Sequence, residues 1–192
     1  MRRDKNEKPR EKRVLEDAAL VEKILELIDD SWCLNRDYYA AVAVLYHPLE
    51  RKILLIERRE IEGDPWSGHI AFPGGRRERN DLNSYYTSLR ELFEEIPNID
   101  PGKIIHLGAM KTYVTRDVYK VIPHIYISRE LFQPKWSETE IKRASWVDLD
   151  DLREIECPLN KRPRCFRTSI YEKIIWGLTG RILGDIIDAL RE

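Results

Sequence analysis

Glu91, Glu94 and Glu95 stand at i, i+3 and i+4 within the run Ser84–Ile96, SYYTSLRELFEEI. On a helix that spacing projects all three carboxylates from one face. A solvated face normally mixes signs at this spacing, so three crowded acids call for a compensating cation. Hard divalent ions such as Mg²⁺ take oxygen ligands and keep several waters. Arg90 lies four residues before Glu94, within reach to pair with it and fix its rotamer. Upstream, Pro73-Gly74-Gly75 follows a short apolar run. Two glycines permit positive φ and let a phosphate or a metal approach the backbone closely. A strand, a diglycine turn, a polar loop and an acidic helix together make a candidate pyrophosphate–metal cradle.

Period and punctuation predict the elements that position these residues. Residues 1–13 read as a flexible charged tail and 14–192 as one domain. Apolar positions recur at helical spacing from Val14 to Trp32. Tyr38–Tyr46 and Lys52–Ile56 form a hairpin with a five-residue loop. Glu57–Ser67 is a loop, His69–Phe72 a short strand and Arg76–Asn83 irregular. Ser84–Ile96 is the acidic helix, ended by Pro97, with Leu89, Leu92, Phe93 and Ile96 as its core-facing stripe. Lys103–Thr112, Val118–Ile127 and Ala144–Val147 are strands. A short helix over Asp148–Glu154, an irregular stretch Glu156–Arg167 and a long helix Ser169–Arg191 complete the chain. Gly177, Gly180 and Gly184 in that last helix weaken it or let another backbone come close. The order α-β-β-β-α-β-β-β-α-α gives one mixed α/β domain.

Composition excludes several classes. The chain has 192 residues, 42% hydrophobic and 35% charged, which is globular rather than disordered. A net charge of −1 lacks the basic bias of a duplex-binding protein, so no nucleic-acid partner is expected. No apolar run approaches a membrane span, and MRRDKNEKPREKR does not read as a secretory signal. Cys33, Cys157 and Cys165 are an odd count without Cys-x-x-Cys spacing. They predict a reducing, cytoplasmic setting, with Cys157 and Cys165 as inert thiols.

The stretch Gly74–Glu95 resembles the Nudix signature: Gly, five residues, Glu, seven residues, then Arg-Glu-apolar-x-Glu-Glu-x-Gly-apolar. Gly75 is followed after five residues by Asp81, and after eight more by Arg90-Glu91-Leu92-Phe93-Glu94-Glu95-Ile96. Asp81 for the first Glu and the longer spacing are features of the coenzyme A diphosphatase-like branch. Pro97 stands where the family has Gly. Thr112–Pro123 and Ile175–Leu183 also resemble that branch. The stretch before the box departs from it, with Trp66 where the branch has His and His69 where it has Gln.

The resemblance implies an α+β mixed sheet in a Nudix-type α/β/α sandwich, with an added N-terminal helix and a long C-terminal helix. It implies a metal-dependent diphosphatase acting on a nucleoside diphosphate joined to another moiety, coenzyme A or a derivative among them. ADP-ribose, nucleotide sugars and nucleoside triphosphates are alternative substrates, and a catalytically silent nucleotide-binding domain is a further alternative. Glu91, Glu94, Glu95 and the Gly74 carbonyl would hold Mg²⁺ or Mn²⁺, and Arg90 would orient the carboxylates. Glu140, ahead of Glu138, is the candidate general base. Arg58, Gly75, Arg76 and Trp66 are candidate substrate contacts. Arg59, Arg77 and His69 are weaker ones, as are Arg162 and Arg164 toward a 3′-phosphate. Asp81 fits a turn contact better than a metal ligand. The terminal helices are candidates for a homodimer interface.

Overall fold

The computed structural model of the protein describes residues 10–29, 31, 37–63, 66–158 and 164–191. Cys33, Arg162 and residues 1–9 of the predicted tail lie outside them. Helix α1 spans Arg10–Leu25, so it takes in the last four residues assigned to the tail and ends before Trp32.

Strands β1 (Ala40–His47) and β2 (Lys52–Arg58) form the predicted hairpin. Strands β3 (Ile70–Ala71) and β4 (Gly74–Arg76) precede helix α2 (Ser84–Glu95). Strands β5 (Ile104–Ala109), β6 (Tyr113–Val114), β7 (Lys120–Ser128) and β8 (Ile141–Asp148) complete an eight-stranded sheet. Its main path runs β3-β2-β1-β7-β5, with β4 on β1, β6 on β7 and β8 on β2. The β1–β7 pair is parallel and the others antiparallel.

Alternation along the central strands divides the core into two layers. On one face Val44, Tyr46, Ile53 and Leu55 pack with Ile24 of α1 and with Ile182, Leu183, Ile186 and Ile187 of helix α3 (Gly177–Arg191). On the other, Ala43, Leu45, Leu54 and Ile56 pack with Leu92 and Ile96 at the end of α2, and Leu89 and Phe93 join them. The mixed α+β sheet between helical layers is the expected architecture. No described helix is long and apolar enough to cross a membrane.

Several expectations change. The diglycine segment is a strand rather than a turn, because Gly74, Gly75 and Arg76 pair with Val42, Ala41 and Ala40. The helix expected from Ser169 begins at Gly177, whose φ of +66° is a left-handed conformation that breaks a helix from the preceding residues. Ahead of it, Phe166 and Ile175 exchange backbone hydrogen bonds of 2.8 and 2.9 Å. The close approach expected at the glycines does occur at Gly180, where a Cβ would stand 2.4 Å from the Arg164 carbonyl oxygen.

Cys157 and Cys165 form a disulfide, correcting the reading of both as thiols. Cys165 lies in β10 (Cys165–Arg167), which pairs with β9 (Arg153–Ile155), so the ladder brings the eight-residue separation together. A single turn of 3₁₀ helix, Leu149–Asp151, replaces the helix expected over Asp148–Glu154. The denatured, unreduced chain should therefore alkylate at Cys33 alone, and reduction of the folded protein should cost about 2 kcal/mol by loop-closure entropy. Denaturant titration with and without reductant measures the second effect.

Beneath α2 the packing is polar. His124, fully buried, shares a 2.9 Å hydrogen bond with Ser84 Oγ and one of 3.0 Å with His106. Ser88 Oγ lies 2.7 Å from the Tyr126 hydroxyl. Burial, reinforced by the neighbouring His106, pushes His124 down to about 3, and burial pushes His106 down to about 4. Both values lie below the ordinary 6.5, so the unfolded chain binds more protons as pH falls. Each histidine should thus contribute stability that is full well above pH 6.5 and falls by about 2 kcal/mol between pH 7 and pH 5, while Glu95, raised to about 8, works in the opposite direction over the same range. Chemical denaturation at both ends of that range should show His124→Asn losing about 2 kcal/mol less than the wild type between pH 7 and pH 5.

Candidate active site

Asn83 caps α2 by accepting from the Tyr86 N–H, and the helix ends where the Ile96 N–H reaches Leu92 O. Pro97 falls after that cap, so it removes none of the three glutamates from the helix. The apolar stripe ending in Leu92 and Ile96 seats the last turn on the sheet, and this turns Glu91 and Glu95 toward β4.

Glu95 is 3% exposed. Its Oε2 accepts from the Gly74 N–H at 3.0 Å, while its Oε1 is buried without a hydrogen-bond partner among the described residues. Burial pushes this carboxyl up to about 8, helped by Glu91 and Glu140 and opposed by the Gly74 N–H and the charge of Arg58. Glu91 is also raised, again mainly by burial, with Arg90 opposing and Glu94 and Glu140 contributing. The structure therefore brings Glu91 and Glu95 onto the diglycine strand, with Glu140 and Arg58 near enough for their charges to act on Glu95. The main-chain carbonyl of Glu140 accepts from the Arg59 N–H at 2.8 Å, which ties that loop to the end of β2. Glu138 is exposed.

Arg90 organises the other side of the site. Its Nε and Nη2 donate to the two oxygens of Asp81 at 3.2 and 3.0 Å, and Nη2 also donates to the Arg76 carbonyl at 3.0 Å. Its Nη1 donates to Glu91 at 2.9 Å and to Glu94 at 3.0 Å. The expected Arg90–Glu94 pair is thus present within a larger fork, and Asp81 is its base. Asp81 also accepts from Glu78 N and from Thr87 Oγ1, each at 2.8 Å, which is the turn contact expected of it. Burial works against the Asp81 carboxylate, but these donors hold it below the usual range.

A metal fits this set in two respects. The donors are carboxylates and a backbone carbonyl, the hard oxygens that Mg²⁺ and Mn²⁺ prefer. The bare Oε1 of Glu95 is a buried acceptor whose desolvation needs a cation or a donor. Among the described residues, however, no three acidic, His or Cys side chains are drawn into a ready cage. Glu94, 58% exposed, is turned to Arg90 rather than to Glu95.

The two glycines are required by close approach. At Gly74, φ is +154° and a Cβ would meet the Ala41 carbonyl at 2.5 Å and Val42 Cα at 2.6 Å. At Gly75 a Cβ would lie 2.3 Å from Glu91 Oε1.

Other predicted residues fall in two places. Arg76 lies over the rings of Tyr39 and Trp66, beside the diglycine. Arg77 lies over Tyr38, and Arg59 is exposed. His69 packs edge-on against Trp176 with ring centroids 4.5 Å apart, lining a cavity of about 440 Å³ with Lys173 and Cys165. Arg164 is held by Glu154 and Asp188 across α3. Sequence reasoning passed over Thr87, Tyr38 and His124, which position α2. They are scattered along the chain, and no spacing joins them.

An acidic helix packed on a diglycine strand, in a mixed sheet between helices, defines the protein class. A match to the NUDIX domain over residues 37–166 identifies it: the chain belongs to that family. It is 34% identical to a Schizosaccharomyces pombe protein over 55% of this chain and 34% of that one. It is 27% identical to the Nudix hydrolase NudL of Pectobacterium atrosepticum, over 78% of this chain and 80% of that one. A Caenorhabditis elegans Ap4A hydrolase structure aligns with a TM-score of 0.48 and 21% identity, over 58% of this chain and 81% of that one.

Gly75→Ala and Gly74→Ala should separate chemistry from stability. The first meets only the end of a flexible side chain, so the fold should survive while the Glu91 carboxylate is displaced and divalent-ion affinity falls. The second meets backbone and should destabilise by about 2 kcal/mol or more. Thermal melts paired with Mn²⁺ titration distinguish the two.

Proposed function

We propose that this protein is a divalent-metal-dependent diphosphatase that hydrolyses a nucleoside diphosphate linked to a second moiety. The observation that carries the reading is the buried Glu95 carboxylate with one oxygen bare beside the diglycine strand. The NudL relative, a Nudix hydrolase covered over most of its length, supports it.

Glu91, Glu94, Glu95 and the Gly74 carbonyl would hold Mg²⁺ or Mn²⁺. When bound, the ion neutralises the diphosphate oxygens and acidifies a coordinated water. Arg90 keeps the carboxylates oriented through its anchorage on Asp81. Arg58, whose charge acts on Glu95, would meet a phosphate oxygen. Glu140, whose charge bears on Glu91 and Glu95, would accept a proton from attacking water. The substrate class includes coenzyme A and its derivatives, ADP-ribose and dinucleoside polyphosphates. The departures at Trp66 and His69 argue for testing these side by side.

Products identified by mass separate the substrates. Coenzyme A gives phosphopantetheine and 3′-phosphorylated AMP, whereas ADP-ribose gives AMP and ribose 5-phosphate. Glu95→Gln should lower turnover by orders of magnitude with the fold intact. Glu140→Gln should lower kcat while leaving Mn²⁺ affinity near that of the wild type. Equal turnover in Glu95→Gln and wild type rules out the metal assignment, and nucleotide binding without hydrolysis of any diphosphate makes this a binding domain.

A further inference from the structure

Three large aromatic side chains meet beside the diglycine strand without entering the core. Tyr39 and Tyr119 stack with ring centroids 4.0 Å apart and an interplanar angle of 16°. Trp66 meets Tyr119 at 64°, with centroids 6.3 Å apart. The Arg76 guanidinium lies 5.4 Å from the Tyr39 centroid and 5.5 Å from that of Trp66. All three rings are half-buried, Arg76 is exposed, and none belongs to the core clusters.

The backbone explains how the cluster is built. Tyr39 donates its N–H to Lys120 O at 2.8 Å and accepts at its carbonyl from Arg77 N at 2.9 Å. It is therefore fixed between the ends of β4 and β7. Tyr119 follows Val118, a β-branched residue at φ +64° and 77% exposed. That conformation is unfavourable for such a residue and is held by the turn bond from Val118 N to Thr115 O, 3.0 Å. Arg76 is continuous with the catalytic candidates, because its own carbonyl accepts from Arg90 and its neighbour Gly75 faces Glu91.

We propose that Tyr39, Trp66 and Tyr119, with Arg76 among them, form the platform on which the aromatic base of the nucleotide stacks. This rests on the diphosphatase reading, since the phosphates would then lie over the diglycine strand and the base beyond Arg76. Near-parallel rings at van der Waals spacing suit one more planar ring, and the guanidinium can stack on a base while its charge faces phosphate. A pantetheine arm or a bare sugar gains little from such flat faces. The base half of the substrate is thereby selected, and the second moiety is left to the rest of the site.

The test compares AMP with ribose 5-phosphate, neither of which has an anhydride to hydrolyse, by calorimetry in Mg²⁺ and again in EDTA. The wild type should bind AMP at least about tenfold more tightly than ribose 5-phosphate. Trp66→Leu and Tyr119→Leu should erase that preference while leaving ribose 5-phosphate binding unchanged, and Tyr119→Phe should keep it. Circular dichroism confirms that each variant is folded; if either Leu variant is not, the Phe variant and tryptophan quenching by AMP in the wild type decide. A wild type with no preference, or Leu variants that retain it, overturns the proposal. A protein that hydrolyses no diphosphate yet shows this pattern refutes the diphosphatase reading and leaves the platform standing.

Discussion

A carboxylate taken out of water against a strand of backbone sets the terms for the rest of this site. Among the described residues the Glu95 carboxylate keeps a single hydrogen bond, from the Gly74 N–H, and its second oxygen has none. Removing a charge from water is expensive unless it is paired, so the group is held closer to neutrality than an ordinary Glu. That approach is possible only because β4 carries no side chains at Gly74 and Gly75. A side chain at the first would run into β1, and one at the second into Glu91. Strand pairing, helix position and carboxylate electrostatics are therefore one constraint.

Holding α2 at that distance falls partly to groups that are not apolar. Leu92 and Ile96 anchor its last turn in the core, but Ser84, Thr87 and Ser88 are also buried. Their hydroxyls meet His124, Tyr38 and Tyr126. Thr87 then passes to Asp81, and Asp81 to Arg90. A buried polar group costs most when its partner is lost, so this chain fixes the rotation of the helix more tightly than greasy packing alone. Arg90 gains from the arrangement as well. Asp81 and Glu91 stabilise its charged form, and the fork keeps Glu91 and Glu94 from drifting apart.

The acidic helix was legible in residue order because its signals are local. The apolar period and Pro97 bracket it to within a residue of the observed Ser84–Glu95. The β1–β2 hairpin was legible for the same reason. The C-terminal helix was overextended because the apolar residues before Gly177 serve a β-bridge, Phe166 to Ile175, whose partners a helical period mimics. The Cys157–Cys165 bond was missed because β9 and β10 are three residues each, too short to stand out from irregular chain. Their pairing alone brings the two sulfurs together.

Sequence by itself determined that three glutamates and an arginine share one helix, that two glycines precede it, and that strands and helices alternate in a mixed domain. Periodicity and spacing are enough for that, since both are properties of neighbours along the chain. Only the tertiary structure decided that Glu95 would be buried and Glu94 exposed, that Asp81 would anchor Arg90, and that Tyr39, Trp66 and Tyr119 would meet around Arg76. Burial and the meeting of distant side chains depend on how elements pack across the sheet, and residues 80 positions apart carry no mark of that in their order.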